Sequence, residues 1–202
     1  MTMMNKIVMA TNNANKLREV REILSPLGID VISQAEAGIS CEPDENGLTF
    51  SENSEIKAKA VYNAYAEKNH ENIAVIADDS GLCVDALDGR PGIYSARYAP
   101  KGQECARLLD EMKDVPDERR TARFICDITY INVYGTSFHF EGVCEGSISR
   151  EELGENGFGY DPVFMYGGRT LAEMMAEEKN SISHRAKALS DLYKFLKERQ
   201  GE

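Results

Sequence analysis

Four stretches of this chain gather residue types that can do chemistry together. The first is Thr11-Asn12-Asn13-Ala14-Asn15-Lys16, set between a strand-like apolar run, Ile7–Ala10, and a helical repeat of Leu17, Val20, Leu24 and Leu27. Backbone N–H groups at such a helix start lack partners within the helix and favour anions. Thr11 and Asn13 add short polar groups and Lys16 adds a positive charge, so the turn can seat a phosphate. The glycines of a Walker A loop are missing. A plain Asn N-cap beside an exposed Lys accounts for the same residues.

The second stretch is Asp78-Asp79-Ser80-Gly81, where the buried-type strand Ile73–Ala77 is expected to end abruptly. Adjacent carboxylates repel each other and are poor for stability, whereas strand ends in α/β sheets often line ligand crevices. Hard oxygen donors of this kind suit Mg²⁺, which keeps several waters and bridges to substrate phosphates. Glu45, in an acidic loop with Glu42 and Asp44, can add a third carboxylate. An Asx-turn made by Asp79 with Ser80-Gly81 is the competing explanation.

The third is Gly157-Phe158-Gly159-Tyr160-Asp161-Pro162. Its glycines let backbone approach a ligand, and its aromatic rings with a nearby carboxylate can hold a flat base by stacking and hydrogen bonding. A tight turn with aromatic core anchors fits equally. The fourth runs from Glu177 to Arg185 and includes Lys179. With Ser183 as N-cap, His184, Arg185 and Lys187 lie in the first helical turn, where cations oppose the helix dipole. A bound anion relieves that conflict; an exposed basic patch offsetting Glu177 and Glu178 is the alternative.

Other chemistry-bearing residues show less. His70 and His139 have no partner visible in sequence and read as surface or strand residues. No GxSxG is present, and Met174 and Met175 read as packing. The five cysteines include no CxxC pair and are odd in number, so reduced, mostly buried thiols are expected, without zinc or disulfides.

The elements that must position these residues alternate early. Strand, turn and helix open the chain, and Ile29–Ser33 reads as a second strand. Thr49 and Glu52 have capping-box spacing before a helix over 50–68. Asp88–Gly92 is turn-rich, and a helix is expected over 103–112. A long strand over 123–133, a turn at Gly135 and a return over 137–144 make a hairpin, with Phe138/Phe140 alternating against His139/Glu141. Glu151–Gly159 is a Gly-rich loop, Thr170 and Glu173 form a second capping box, and a helix begins near Ser183 with Ala186, Leu189, Tyr193 and Leu196 on one face. The class is α/β with a mixed sheet.

The 202 residues suit one domain, or one domain with two lobes. With 42% hydrophobic and 28% charged residues, disorder is excluded as the main state. The formal charge of −11 argues against broad binding to nucleic acid or an anionic membrane, and sets aside an RNA-binding module, though it leaves room for one anionic ligand. No apolar run approaches the ~20 residues of a membrane-spanning helix. The opening MTMMNKIVMATNN does not read as a secretion signal, so a cytoplasmic location is expected.

Taken together, the motifs resemble the inosine triphosphate pyrophosphatase family. The matching pieces are TNNANK (Thr11 to Lys16), ENGLTFSENSEIKA (Glu45 to Ala58), ADDSGLCVDALDGRPGIYSARYA (Ala77 to Ala99), FGYDPVF (Phe158 to Phe164) and EEKNSISHRAKAL (Glu177 to Leu189). They occur in the family's order over nearly the whole chain. Asn12 stands where many members carry Gly, and Asn13 fills the family's Asn position.

The resemblance implies cleavage of ITP, dITP or XTP between the α- and β-phosphates, giving a monophosphate and pyrophosphate. It also implies Mg²⁺, a homodimer, and an elongated central sheet flanked by helices, in two lobes with the active site in the cleft. By position, Thr11, Asn12, Asn13, Ala14, Asn15 and Lys16 would grip phosphate together with Lys57. Glu45 and Asp79 would hold the metal, with Asp79 also the general base, and Ser80 would touch substrate. Phe158 would stack on the purine, with Gly159, Tyr160, Asp161, Lys179, His184 and Arg185 around it. A Maf-type pyrophosphatase of modified pyrimidine nucleotides and a non-catalytic nucleotide sensor are the rival readings.

Overall fold

Strand β1 (Lys6–Met9) is apolar after its first residue because both of its faces are covered. Ile7 and Met9 pack with Val20 and Leu24 of α1 (Ala14–Leu24) and with Leu189 and Leu192. Val8, pointing the other way, packs with Ala58 and Val61 of α2 (Phe50–Asn69). The coordinates are a computed structural model and describe Lys6–Gln200, the last by its backbone alone. Met1–Asn5, part of the opening read above for a secretion signal, lie outside the described residues.

The remaining elements are β2 (Asp30–Ser33), β3 (Ala74–Val84), α3 (Glu104–Glu111), β4 (Thr121–Ile131), β5 (Ser137–Ile148), β6 (Phe164–Tyr166), β7 (Arg169–Thr170), α4 (Ala176–Ile182) and α5 (His184–Gln200). The strand order is β2-β1-β3-β4-β5-β6-β7. β1 pairs in parallel with both β2 and β3, through crossovers that carry α1 and α2, whereas β6 pairs antiparallel with β5 and β7. The sheet is therefore mixed, as the pattern of elements implies.

The chain divides into two compact units. The first holds the described residues up to Asp79, Cys126–Gly142, and those from Ala186 onward. Its cores lie around Ile7, Ile76 and Leu189, and around Val8, Val75 and Val61. The second holds Ser80–Ile125 and Val143–Arg185, with a core of Leu82, Leu108, Met112, Phe124, Phe164 and Leu171. Among the described residues no helix is long and apolar enough to cross a membrane. The cysteines are free, with Cys105, Cys126 and Cys144 buried.

Several local expectations are corrected. β3 does not end at Asp78 but continues to Val84. The carboxylates are tolerated inside it because each is paired with a lysine, and Leu82 and Val84 resume full burial beyond them. α4 precedes the last helix, and the short strands β6 and β7 carry too few residues for a period to be legible. Met174 is buried as expected, but Met175 is exposed. The first capping box is shifted by one residue: Thr49 Oγ1 accepts from the Glu52 N–H at 3.1 Å, while the Glu52 carboxylate accepts from the Leu48 N–H. The second box is complete, although it caps only the short turn Leu171–Glu173.

Candidate active site

The turn before α1 is organised by its own side chains. Asn13 Oδ1 accepts from the N–H groups of Asn15 at 3.0 Å and Lys16 at 3.2 Å, and Thr11 Oγ1 accepts from the Asn13 N–H at 3.1 Å. Asn13 is thus an N-cap. Asn12 accepts from the buried Gln34 Nε2 at 3.1 Å; the same Gln34 nitrogen donates to the Cys41 carbonyl. Gln34 therefore ties this turn to the start of the acidic loop, a link with no sequence signal because it spans two otherwise unremarkable polar positions. Ala14 and Asn15 are exposed at the helix start.

The strand geometry of β3 sends successive side chains to opposite sides. Asp78 and Asp79 are separated by that alternation and serve different lysines. Asp78 Oδ2 lies 2.9 Å from Lys16 Nζ, and Asp79 Oδ1 lies 2.8 Å from Lys57 Nζ. Lys57 also lies 3.2 Å from Glu45 Oε2, so one ammonium sits between two carboxylates. Burial pushes the Asp79 carboxyl above the ordinary range; Lys57 works against that rise and Glu45 adds to it. Burial likewise opposes the charge of Lys57, but Asp79, Asp78 and Glu45 outweigh it and hold the ammonium above its usual value.

Asn53, a polar residue near the start of α2, is fully buried. Its Oδ1 accepts from the Gly47 N–H at 2.9 Å, and its Nδ2 reaches Asp79 Oδ2 at 3.4 Å. It joins the acidic loop to Asp79. A usable signal existed: Asn53 and Lys57 are four apart, hence on one face of α2.

Glu45 and Asp79 have the donor chemistry of a Mg²⁺ site. Both offer hard oxygens and both reach a single positive centre, the Lys57 ammonium. Mg²⁺ is commonly held by one or two carboxylates, with water and phosphate oxygens filling its octahedron. The residues fit that group. Among the described residues no cluster of three or more His, Cys, Asp or Glu side chains stands ready as a metal cage, so the fit rests on these two carboxylates.

In the second unit, Asp161 is the organising carboxylate. It is 3% exposed and its Oδ2 accepts from the Phe158 N–H and from Lys179 Nζ, each at 2.7 Å. Lys179 Nζ also lies 4.6 Å from the centre of the Phe158 ring, a cation–π arrangement. The ring itself stays partly exposed. Gly157 is required here: its φ is +77°, and a Cβ would come within 2.1 Å of Asp161 Oδ2. The Gly159 carbonyl accepts from Cys105 Sγ. Tyr160 is buried and its hydroxyl donates to the Ser95 carbonyl at 2.9 Å, so it anchors this loop in the core.

Arg185 Nη2 donates to Ser80 Oγ at 3.1 Å. The His184 ring stacks on Phe124, with centroids 4.7 Å apart and planes 11° apart. Phe124 carries no signal of this role, because its place in β4 reads as ordinary strand alternation. Ser183 stands in extended conformation between α4 and α5, which puts His184 and Arg185 at the start of α5 as the N-cap reading requires. Within the first unit, the structure thus gathers Lys16 with Asp78, and Lys57 with Glu45 and Asp79. Within the second it gathers Phe158, Asp161 and Lys179, and Ser80 with Arg185.

The sequence profile of the Ham1 family matches residues 7–195. The chain belongs to the Ham1 family. It is 46% identical over 203 residues to the dITP/XTP pyrophosphatase of Bacillus subtilis, covering 97% of this chain and 99% of the relative. It is 44% identical over 200 residues to the dITP/XTP pyrophosphatase of Clostridium perfringens, covering 96% and 98%. Among solved structures, a HAM1 protein from Coxiella burnetii superposes with a TM-score of 0.85 at 39% identity, over 96% of this chain and all of that one. The family resemblance drawn from the five motifs therefore holds. The first unit gathers lysines and acids in ion pairs. The second supplies an aromatic face with donors beside it.

Proposed function

We propose that this chain is a Mg²⁺-dependent dITP/XTP pyrophosphatase, converting dITP, ITP or XTP to the monophosphate and pyrophosphate. The observation that carries this reading is one lysine held between two carboxylates in a chain 46% identical to a dITP/XTP pyrophosphatase. On this reading the two units act as one nucleotide-handling domain, in a cytoplasmic homodimer that keeps inosine and xanthosine nucleotides out of DNA and RNA.

Lys16, Lys57 and the Asn13-capped turn take the phosphates; Thr11, Asn12, Ala14 and Asn15 shape that turn. Phe158 stacks on the base. Lys179, His184 and Arg185 offer donors to its edge, Asp161 holds Phe158 and Lys179 in place, and Gly159 and Tyr160 fix the loop.

Glu45 and Asp79 would hold the metal, which when bound supplies positive charge to the phosphates and acidifies water. Asp79 accepts a proton from the attacking water. The new bond forms from that water oxygen to phosphorus, and the bond to the bridging oxygen between the α- and β-phosphates breaks. Burial raises the affinity of Asp79 for protons, which is the direction a general base requires. Lysine charge and fixed geometry supply the rest, since phosphoryl chemistry depends on positioning and electrostatics. A 6-keto purine accepts hydrogen bonds from these donors, whereas a 6-amino purine turns a donor toward them and leaves polar groups unpaired.

The test is incubation of pure protein with dITP, XTP, ATP and dTTP in Mg²⁺, followed by product analysis. Pyrophosphate from dITP and XTP is expected. Orthophosphate release, or preference for dTTP, overturns the reading.

A further inference from the structure

A second polar cluster lies in the first unit and is used by none of the steps above. Ser54, fully buried on α2, has its hydroxyl within hydrogen-bond distance of three oxygens: Asp127 Oδ1 at 2.9 Å, Thr129 Oγ1 at 2.6 Å and the Ser51 carbonyl at 2.9 Å. Asp127 and Thr129 are themselves buried on β4. His139 of β5 closes the cluster: its Nδ1 lies 3.0 Å from Ser51 Oγ, 3.2 Å from Thr129 Oγ1 and 3.4 Å from Asp127 Oδ1. The histidine that has no visible partner in the sequence thus has three here.

What this cluster holds is the start of α2. Asn53 and Ser54 are consecutive, so their side chains leave the helix roughly 100° apart. Asn53 turns to Asp79 and Gly47; Ser54 turns to Asp127 and Thr129. Lys57, one turn further, carries the ammonium between Glu45 and Asp79. Two fully buried polar residues at this point mean that hydrogen bonds, which are directional, set the rotation of the helix here. Apolar contact, which tolerates small rotations, takes over only at Ala58 and Val61.

We propose that Asp127, acting through Ser54, is a positioning residue that fixes the rotation of α2 and so sets Asn53 and Lys57 against Asp79. Thr129 and His139 complete the brace, Thr129 Oγ1 lying 2.6 Å from Ser54 Oγ and His139 Nδ1 lying 3.2 Å from Thr129 Oγ1 and 3.4 Å from Asp127 Oδ1. The inference rests on the pyrophosphatase reading for its kinetic consequence but not for its structural one. A displacement of less than an ångström at groups that position reactants can cost about 10- to 100-fold in rate.

The test compares Asp127→Ala, Ser54→Ala and Asp127→Asn, the last retaining an acceptor for the Ser54 hydroxyl. Two readouts are taken: steady-state kinetics on dITP with Mg²⁺, and amide hydrogen exchange of the metal-free protein. Expected for both alanine variants is a fall in kcat of about 10- to 100-fold with KM changed less than about threefold. Exchange should quicken over residues 51–60 but not in α1, and Asp127→Asn should recover most of both. Unchanged kcat in an alanine variant, or faster exchange throughout the first unit with kcat intact, overturns the proposal in favour of a merely stabilising contact. If Asp127→Ala does not fold, Ser54→Ala decides on the same criteria. A wild-type protein inactive on dITP and XTP removes the pyrophosphatase reading, while the exchange measurement still decides whether the brace positions α2.

Discussion

The two units hold their candidate site residues by different physics. In the first, Lys16, Lys57, Glu45, Asp78 and Asp79 form ion pairs at 2.8–3.2 Å, and almost every contact is charge against charge. In the second, one buried carboxylate, Asp161, fixes a backbone N–H and a lysine, and the exposed product of that arrangement is a flat ring. The first arrangement suits any polyphosphate, because charge carries no information about the base. The second can discriminate, because stacking and directional donors depend on the outline of the guest. Rate should therefore depend on the first unit and substrate choice on the second.

The sharpest way to break this division is Asp79→Asn. Loss of a general base predicts a fall in kcat of about 10²- to 10⁴-fold, with nucleotide binding largely retained by calorimetry. Substantial residual turnover would remove Asp79 from that role. Next is Phe158→Ala, expected to raise KM for dITP by about 5- to 150-fold, as expected for a stacking contact worth about 1–3 kcal/mol, with a smaller change in kcat. An equal effect on kcat would mean the ring serves the chemistry as well as the base.

A third substitution, Lys16→Ala, probes both rate and folding. Asp78 is only 3% exposed, so deleting its partner should cost up to about 3 kcal/mol of stability as well as phosphate affinity. Denaturant unfolding alongside kinetics separates the two. A smaller effect is expected in titration of the metal-free protein. The Asp79 carboxyl, raised by burial, should rise further in Lys57→Gln, because the main influence lowering it is gone. The folded state then holds that proton more tightly than the unfolded state, so the cost of burying this carboxylate sets in as pH rises above the ordinary carboxylate pKa, is complete above the folded one, and is relieved as pH falls. Carbon-detected NMR of the carboxyl carbon follows both.

The smallest effect belongs to an ion pair outside both sets. Hydrogen bonding to Arg21, helped by Ser33, holds the Glu36 carboxyl down at about 2. Its contribution is present above the ordinary carboxylate pKa and is lost as pH falls through about 2. Glu36→Gln should therefore lower Tm slightly at pH 7, and the gap should close in acid, with kcat and KM untouched.

Much of this was legible in the residues. Apolar runs and capping signals located β1, α1 and α2, because each is governed by burial or by groups close in sequence. Two adjacent carboxylates read as a strand end, and that failed for a definite reason: the neutralising lysines, Lys16 and Lys57, lie 62 and 22 residues away. Gln34, Phe124 and the contacts joining Ser54, Asp127 and His139 are illegible on the same ground. Each acquires its role from a partner brought in by the fold, and nothing local distinguishes it from a residue of an ordinary surface or strand.

The side-to-side alternation at Asp78 and Asp79 has a consequence for how such a chain can change its length. Inserting or deleting one residue upstream within β3 would swap the tandem acids' facings, leaving each lysine opposite the wrong neighbour. A change of two would restore the facings but displace them along the strand. Natural length variation in related chains should thus gather in connections such as the acidic segment after β2 or the Gly-rich stretch before Asp161, and leave this strand's count alone.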